Sequence, residues 1–345
     1  MLKRSSLKQS RLFCPITRSF DDLSFSLVDY KNNYFTSNDL IKIIEFYDGF
    51  EKREHLIQWM EERPTGVTNI FEVKGSNEII VVIPTADFNG KYAKECRENI
   101  FKGLRLIFAE SGGREDFYFN YSHNCNMGIK KAMEYNPKWI VVSNDDMQKV
   151  DNISTLVTEL NEASNNDVAV CFSQGKRKKS STHSYPMKIG KKTILYDITY
   201  FIFSKITRTR IQFEKKHKQF FGKNILSVGL NFPYSLFSKG NLKFINGGAF
   251  FILNSKIFNE NYFFDEVFIN GVEDVDLSLR IKLGDLKTEI LKYRIKSYRG
   301  STLGRYGSIR SLRDIINEIY FNYKYDFDVL SSFYLDKSNN ASKLL

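Results

Sequence analysis

Residues 139–147 read Trp139-Ile140-Val141-Val142-Ser143-Asn144-Asp145-Asp146-Met147, an apolar run that ends in two adjacent carboxylates. Such a run, with two valines, predicts a strand buried on both faces of a parallel sheet. Ligands of these sheets collect at the carboxyl ends of the strands, so Asp145 and Asp146 are expected at a binding site. Two adjacent carboxylates repel each other, and magnesium is commonly held by one or two carboxylates together with substrate phosphates. The pair therefore predicts a metal ion and a diphosphate.

The composition is that of a globular protein. The chain has 345 residues, 42% of them hydrophobic, which suffices for one large domain with additions or for two domains. Its four cysteines form no CxxC pair, which argues against a zinc site and gives no support for a disulfide framework. No apolar stretch approaches the roughly 18 residues of a membrane span, and residues 1–18 lack the apolar segment of a secretory signal. We therefore expect a cytoplasmic protein.

The positive charge is concentrated in one segment. Residues 174–243 contain sixteen Lys or Arg residues against two acids, a local charge of +14 in a chain whose net charge is +11. A basic face predicts an anionic partner, such as a membrane surface or a phosphorylated acceptor. Nucleic acid is not expected, because no recognisable binding motif accompanies the charge. A solvated basic loop is the alternative interpretation.

The order of predicted elements is typical of an α/β sheet protein with additions at both ends. Residues 1–75 predict an N-terminal helical extension, with capped amphipathic helices before a break at Pro64. Strand, helix and strand patterns follow from Glu78 to Ala109, which begins a parallel or mixed sheet flanked by helices. The main domain is expected over residues 76–304, with the basic segment inserted at 174–243. Residues 305–345 predict a helical tail.

Further elements are predicted within the main domain. Helices are expected from Ser122 to Met133 and from Ile153 to Asn161, and strands at residues 139–143 and 168–172. Regular structure is expected to resume over residues 244–252. A helix is predicted to begin at Glu273 or Asp274 and to end near Leu283, before Gly284.

Six short motifs occur in a characteristic order. They are Ile83-Pro84-Thr85, Glu110-Ser111-Gly112, Asn126-Met127-Gly128, Asn144-Asp145-Asp146, Gly247-Gly248 and Gly271-Val272-Glu273-Asp274-Val275-Asp276-Leu277. Together they resemble the family 2 glycosyltransferases, over about residues 78–302 without much of the basic segment. The resemblance implies the GT-A fold, in which a nucleotide-binding α/β domain is fused to an acceptor-binding half. It also implies a nucleotide-diphosphate sugar as donor, and a role in the synthesis of cell-surface glycans or glycolipids.

The resemblance implies a nucleotide site at the end of the first strand. Pro84, Thr85 and Glu110 would contact the base and ribose, with Asp87 a second candidate for the acid. A carboxylate at a strand tip can accept a hydrogen bond from a ribose hydroxyl, although a solvated loop acid would give the same sequence. Glu110 stands where the family usually has aspartate.

Two glycine-containing motifs are implied to approach the donor or acceptor. Asn126 and Gly128 match the family's asparagine and glycine before the metal motif, where the loop lies against the donor. Plain helix packing is the alternative for the glycine. Gly247 and Gly248 would let a sugar or acceptor approach the backbone, or would form only a bend before a strand.

The segment from Asn144 to Asp146 matches the family's Asp-x-Asp metal motif, with asparagine in the first place. The resemblance implies that Asp146 binds a divalent cation, Mg²⁺ or Mn²⁺, that bridges the diphosphate, and that Asn144 or Asp145 meets the ribose. A turn after a strand also favours Asn and Asp.

Glu273 and Asp274 match the acidic pair in which the family's catalytic base resides. Inverting transfer needs a carboxylate that removes the proton from the acceptor hydroxyl, and we assign this role to Asp274. Glu273 would position the acceptor, and Arg280 is the expected structural partner further along the helix. An acidic first turn is also favoured by the helix dipole alone. If the resemblance holds, Asp146 and Asp274 flank one cleft.

One departure from the family concerns a histidine. Many relatives have a histidine about 25 residues beyond the acidic pair, as a further contact to the metal or diphosphate, but no histidine follows His217 in this chain. Arg299 could meet the diphosphate directly, because arginine forms charge-assisted and often bidentate bonds with phosphate.

The sequence therefore predicts a metal-assisted, inverting glycosyltransferase with a glycan or lipid-linked acceptor. Through its basic segment it would lie peripherally at the inner membrane surface. Two alternatives stay open. The chain could be a sugar nucleotidyltransferase, although residues 85–91 are a poor version of a glycine-rich phosphate loop. It could also be a degenerate transferase that serves as a membrane- or partner-binding scaffold.

Overall fold

The chain folds into a large mixed β-sheet flanked by helices. The computed structural model describes residues 40–111, 118–173, 182–186, 213, 216–221, 241–245, 248–298 and 307–325. The predicted site residues Gly247 and Arg299 lie outside these ranges, as does most of the basic segment 174–243.

The described residues form ten strands, eight of them in one sheet. The strands are β1 (Asn69–Val73), β2 (Ser76–Thr85), β3 (Leu104–Glu110), β4 (Trp139–Ser143), β5 (Met147–Lys149), β6 (Val168–Ser173), β7 (Thr182–Pro186), β8 (Asn241–Ile245), β9 (Phe250–Asn254) and β10 (Thr288–Ser297). The large sheet has the order β1-β3-β2-β4-β9-β6-β10-β5, and β7 pairs with β8 in a separate ribbon.

Five strands of the large sheet point the same way. Strand β2 is parallel to β3 and β4, and β6 is parallel to β10. Strand β9 is antiparallel to both β4 and β6. Because β4 and β6 both run opposite to β9, they run in the same direction as each other. The carboxyl ends of β2, β3, β4, β6 and β10 therefore lie along one edge of the sheet. All five residues of β4 are buried, which confirms the strand predicted from its apolar run.

Some strands have no counterpart in the sequence prediction. Strand β1, which lies in the predicted N-terminal extension, pairs with β3. The regular structure expected over residues 244–252 includes the strands β8 and β9, and Gly248 lies in the turn before β9 with a φ of +58°. Strand β10 was not predicted at all, because its alternating exposed residues are mostly charged.

The described helices are α1 (Leu40–Asp48), α2 (Arg53–Glu62), α3 (Lys91–Glu95), α4 (Tyr121–Met133), α5 (Ile153–Glu162), α6 (Lys218–Phe221), α7 (Glu273–Leu283) and α8 (Gly307–Lys324). Helix α3 continues as a π-helical turn, Cys96–Ile100, and β9 is followed by a 3₁₀ turn, Ser255–Glu260. Within these ranges, no helix has both the length and the apolar character needed to span a bilayer.

Helices from three distant parts of the sequence share one hydrophobic core, and we call α1, α2, α6 and α8 the helical lobe. The N-terminal extension contributes Phe46 and Tyr47, the basic segment contributes Phe220, and the tail contributes Ile316 and Phe321. The same core includes apolar residues of α7 and of the loop that precedes it. The described helices of the N-terminal extension, the basic segment and the tail therefore form one unit. This unit packs against α7, the helix that carries the predicted catalytic base.

A buried carboxylate joins α7 to the last helix of the lobe. Asp276 is fully buried and lies 2.9 Å from Arg280 Nε, on its own helix. Its other oxygen accepts hydrogen bonds from Lys324 Nζ and from the Tyr325 hydroxyl, both at 2.6 Å. Arg280 also donates to the backbone carbonyl of Phe263. Arg280 is thus a structural partner of the acidic helix, as expected, with Asp276 as the acid that it meets.

Replacing Asp276 by Ala should lower the free energy of unfolding by roughly 3 kcal/mol, because it leaves the partly buried Arg280 and Lys324 without their counter-charge. Chemical denaturation at pH 7 measures the loss. Asp151→Ala is the matched control, since Asp151 pairs with an Arg294 side chain that is 54% exposed, and it should cost under about 1 kcal/mol. Equal losses in the two variants would contradict the structural role of Asp276.

Gly128 of α4 faces the sheet at close range. A Cβ atom at this position would lie 2.4 Å from Cγ1 of Val82 in β2. Of the two interpretations of this glycine, the contact with Val82 favours helix packing.

Gly128→Ala should destabilise the protein by about 1–3 kcal/mol, because the added methyl group overpacks the interface between α4 and β2. Val82→Ala removes the opposing methyl groups, so the double variant should be more stable than the sum of the two single losses predicts. Strict additivity in chemical denaturation would show that Gly128 and Val82 do not press on each other.

Candidate functional site

The carboxyl ends of β2 and β4 meet through a hydrogen bond between predicted site residues. The Thr85 hydroxyl donates to Oδ2 of Asp145 over 2.8 Å, and the Ser111 backbone N–H donates to the Thr85 carbonyl. The strand ends of β2, β3 and β4 therefore form one continuous edge. This is the edge at which the sequence placed the ligand.

Asp145 lies in a poorly solvated position. Burial, together with the charge of the adjacent Asp146, raises the pKa of Asp145 to about 6, and the hydrogen bond from Thr85 offsets part of this effect. Cys96 Sγ lies 3.3 Å from the Asp145 carbonyl oxygen. Burial and the Asp145 charge raise the pKa of the Cys96 thiol, so it stays protonated at neutral pH.

Asp146 lies where β4 meets the end of β10. Its carbonyl accepts a hydrogen bond of 2.8 Å from the Tyr298 N–H, and its Oδ1 lies 3.4 Å from the Ser297 hydroxyl. Only 4% of Asp146 is exposed. The end of β10 therefore belongs to this site, and Arg299 is the next residue along the chain.

The donor set at this edge fits a hard divalent cation. Asp145 and Asp146 are adjacent carboxylates, and burial, with a further contribution from the charge of Asp146, raises the pKa of Asp145. A cation at this position would relieve the repulsion between the two charges. No group of three or more His, Cys, Asp or Glu side chains within the described ranges is arranged as a metal site. A cation here would therefore need further ligands, such as the oxygens of a diphosphate.

The loop after β2 is held by the predicted nucleotide-site acids. Glu110 Oε2 accepts a hydrogen bond of 2.6 Å from the Phe88 N–H, and Asp87 Oδ1 accepts one from the Asn89 N–H. Pro84 is buried within β2, whereas Asp87 is exposed. Both acids thus shape the loop, and Asp87 remains accessible to a ligand.

Both faces of the Phe88 ring are covered. Phe71 stacks on it with ring centroids 4.5 Å apart, and the guanidinium of Arg97 lies 4.4 Å from its centroid. A flat ligand ring therefore cannot stack on Phe88 in this arrangement.

Tyr121 links the two predicted acidic groups. Its hydroxyl donates a 2.7 Å hydrogen bond to Oδ1 of Asn144, just before Asp145. Burial, the neighbouring Cys125 thiol and the charges of Glu273 and Asp274 raise the pKa of the Tyr121 phenol. The same phenol thus bonds to the strand-end motif and lies within the electrostatic reach of the acidic pair on α7.

The acidic pair follows a strained turn. Asn270 and Val272 have φ values of +53° and +71°, and the second is costly for a β-branched residue. The Asn270 side chain fixes the turn, because its Oδ1 accepts a 2.8 Å hydrogen bond from the Tyr121 N–H. The turn that carries Glu273 and Asp274 is therefore tied to the helix that carries Tyr121.

Glu273 and Asp274 have different environments. Glu273 is 9% exposed, and its Oε2 has no hydrogen-bond partner among the described residues. Burial, followed by the charges of Asp274 and Asp314, raises the pKa of Glu273 from 4.5 to about 8. Asp274 is half-buried, and its Oδ1 accepts a hydrogen bond from the Val275 N–H. At neutral pH Glu273 therefore carries a proton.

Asn126 holds two protein segments together. Its amide donates 2.8 Å hydrogen bonds to the Phe264 carbonyl and to Glu266 Oε1, and its oxygen accepts from the Phe264 N–H. The other Glu266 oxygen lies 2.8 Å from His123 Nδ1. Asn126 thus ties α4 to the segment around Phe264 and Glu266, and a contact with the donor stays a prediction.

Sequence reasoning missed two residues of the site. Tyr121 lies one residue before the predicted start of its helix, and Asp314 lies in the tail, beyond the motifs. The signal available for Tyr121 was Asn120, a favourable N-cap residue whose side chain accepts from the His123 N–H and which starts the helix at Tyr121, one residue earlier than predicted. No local pattern marks Asp314.

Comparison with protein families and with curated proteins identifies no relative of this chain. Neither a scan against protein-family models nor a search of curated proteins finds a match to this chain. The case for a function therefore depends on the site itself.

The raised pKa of Glu273 predicts a pH-dependent stability. The folded protein binds this proton more tightly than the unfolded chain does, so the contribution is complete below pH 4.5 and is lost as the pH rises through about 8. Glu273→Gln should therefore be more stable than the wild type at pH 9, by on the order of a few kcal/mol, with a smaller difference at pH 5. Chemical denaturation across this range measures the difference, with the exposed Glu162→Gln as control. A difference that does not depend on pH would contradict the assignment.

Proposed function

We propose that this chain is a glycosyltransferase of the GT-A type. It transfers a sugar from a nucleotide-diphosphate donor to an acceptor hydroxyl, with inversion at the anomeric carbon. The observation that carries the proposal is the pair of hydrogen bonds made by Tyr121, from its hydroxyl to Asn144 of the strand-end motif and from its N–H to Asn270 of the turn before the acidic pair. Two motifs that are tied to one residue can serve the two ends of one transfer reaction.

The large mixed sheet supports a nucleotide site. Five strands end at one edge, and ligands of such sheets bind beyond the carboxyl ends of the strands. In the proposed complex Thr85 and Asp87 lie beside the nucleoside. With Phe88 covered on both faces, the base would be held at its edges, and not by stacking on that ring.

Asp274 is the proposed catalytic base. Its half-buried carboxylate accepts the proton of the acceptor hydroxyl as that oxygen bonds to the anomeric carbon. The bond between the anomeric carbon and the diphosphate oxygen breaks, and the nucleoside diphosphate leaves with the electron pair. Glu273 is unsuited to this role at neutral pH because its raised pKa keeps it protonated.

Asp146, with Asp145 beside it, would hold a magnesium or manganese ion together with the diphosphate. When bound, the cation supplies positive charge that offsets the charge developing on the leaving group. The protein's own contribution is to hold the motif in place, through Thr85 on Asp145 and through the end of β10 on Asp146.

The basic segment supports an anionic surface as the partner beside the acceptor. One of its described charges, Lys216, pairs with Asp48 of the helical lobe at 2.6 Å, so it is engaged within the protein. The net charge of +14 in this segment would attract anionic lipid headgroups, which fits a lipid-linked acceptor.

Nucleotide binding tests the proposal directly. A thermal-shift panel of uridine, guanosine and thymidine diphosphates, with and without manganese, should show stabilisation by one of the three, and the metal should increase it. Asp146→Asn should remove the metal-dependent part. Asp274→Asn should keep nucleotide binding but lower turnover of the matching nucleotide sugar by about 10²-fold or more.

The control for both variants is Glu162→Gln, an exposed acid on α5. A protein that binds none of the three nucleotides, or an Asp274→Asn variant that turns over normally, would refute the proposal. Formation of a nucleotide sugar from a sugar phosphate and a nucleoside triphosphate would identify a nucleotidyltransferase instead.

A further inference from the structure

Two exposed tyrosines lie side by side at the carboxyl edge of the sheet. Tyr92 is the second residue of α3, and Tyr298 directly follows β10. Their ring centroids are 5.9 Å apart with 44° between the ring planes, and the two residues are 38% and 48% exposed. Residues from distant parts of the sequence thus form one aromatic surface, and we call Tyr92 and Tyr298 the tyrosine pair.

The tyrosine pair adjoins the carboxylate motif that follows β4. The Tyr298 N–H donates a 2.8 Å hydrogen bond to the Asp146 carbonyl. Tyr92 lies one helical turn before Cys96, because the Cys96 N–H donates to the Tyr92 carbonyl. The Cys96 thiol in turn lies 3.3 Å from the Asp145 carbonyl oxygen. Each tyrosine is therefore held close to one residue of the proposed diphosphate site.

Helix α3, which carries one member of the tyrosine pair, and helix α7, which carries the acidic pair, cover opposite faces of the sheet. Cys96, at the end of α3, shares a hydrophobic core with Ile83 of β2. Leu277 of α7 shares a different core with Val82 of β2. Neighbouring residues of a strand point to opposite faces, so the two helices are separated by the sheet. The strand-end carboxylates lie between them.

This separation gives a sugar nucleotide one direction across the site. In the function proposed above, the sugar faces Asp274 on α7 and the diphosphate lies at Asp146. The nucleoside then extends to the side of α3, beside Thr85 and Asp87, which begin the loop that leads into this helix. Phe88 of that loop is covered on both faces. The tyrosine pair, in contrast, is exposed on this side.

We propose that the tyrosine pair is the stacking surface for the nucleobase of the donor, an inference that rests on the function proposed above. Every base has a flat π face, and stacking on aromatic side chains binds bases with little dependence on their identity. The edges of the base stay free for hydrogen bonds with the loop after β2. The tyrosine pair therefore contributes affinity for the nucleoside, and the loop selects the base.

Calorimetric titration of the full-length chain with uridine, guanosine and thymidine diphosphates, each with manganese, tests the stacking. Tyr92→Leu and Tyr298→Leu keep an apolar side chain but remove the flat ring, so each should weaken binding of the diphosphate that the wild type binds by about tenfold. Pyrophosphate with manganese carries no base, so its affinity should be the same in wild type and variants. Tyr323→Leu is the matched control, because Tyr323 is 39% exposed on α8, and it should leave both affinities unchanged.

Tyr298→Trp gives an independent measurement. The indole also offers a flat face, so this variant should keep the wild-type affinity, and a base that stacks on it should quench its fluorescence whereas pyrophosphate should not. Nucleotide binding that is unchanged in both leucine variants overturns the inference. So does an equal loss of pyrophosphate and nucleotide binding, because it would place the effect at the metal and diphosphate. A wild-type protein that binds none of the three diphosphates refutes the transferase proposal as well.

Discussion

The buried carboxylate of Asp276 connects helix α7 to the helical lobe. Its three partners come from α7 itself and from the end of α8, so one charge ties the helix at the site to the helical lobe. A buried ion pair of this kind contributes little net stability compared with apolar packing. It favours one geometry, because Asp276 meets Arg280, Lys324 and Tyr325 together only when α7 and α8 lie as observed. The apolar core that α7 shares with the helical lobe provides the stability, and the hydrogen bonds of Asp276 fix the position of α7 against the end of α8.

The elements that were predicted correctly have strong local patterns. The apolar run of β4 and the acidic start and glycine end of α7 determine their own structure, and their bounds were close to those observed. Strands β1, β5 and β10 depend instead on partners far along the chain. Strands β1 and β5 are too short to show a pattern, and the exposed residues of β10 are mostly charged. Long-range pairing of this kind leaves no mark on a short window of sequence.

The residues of the candidate site could likewise be predicted only where a local sequence pattern marks them. The strand-end carboxylates Asp145 and Asp146 lie on the shared edge because parallel strands must end together, and this follows from the pattern alone. Asn126 and Gly128 matched family positions, yet their contacts are with Phe264, Glu266 and Val82, since the same residue types also satisfy helix packing. Asp314 could not be found from the sequence, because only tertiary packing of the tail brings it to Glu273.

The two outermost strands of the described sheet have a consequence for the behaviour of the protein in solution. Strand β1 has five residues and β5 has three, and both run antiparallel to their neighbours. Long exposed edges offer a row of unpaired backbone groups on which other chains can assemble, and short edge strands limit that row. The sheet thus ends on both sides in strands that discourage edge-to-edge aggregation, although its centre is almost wholly apolar.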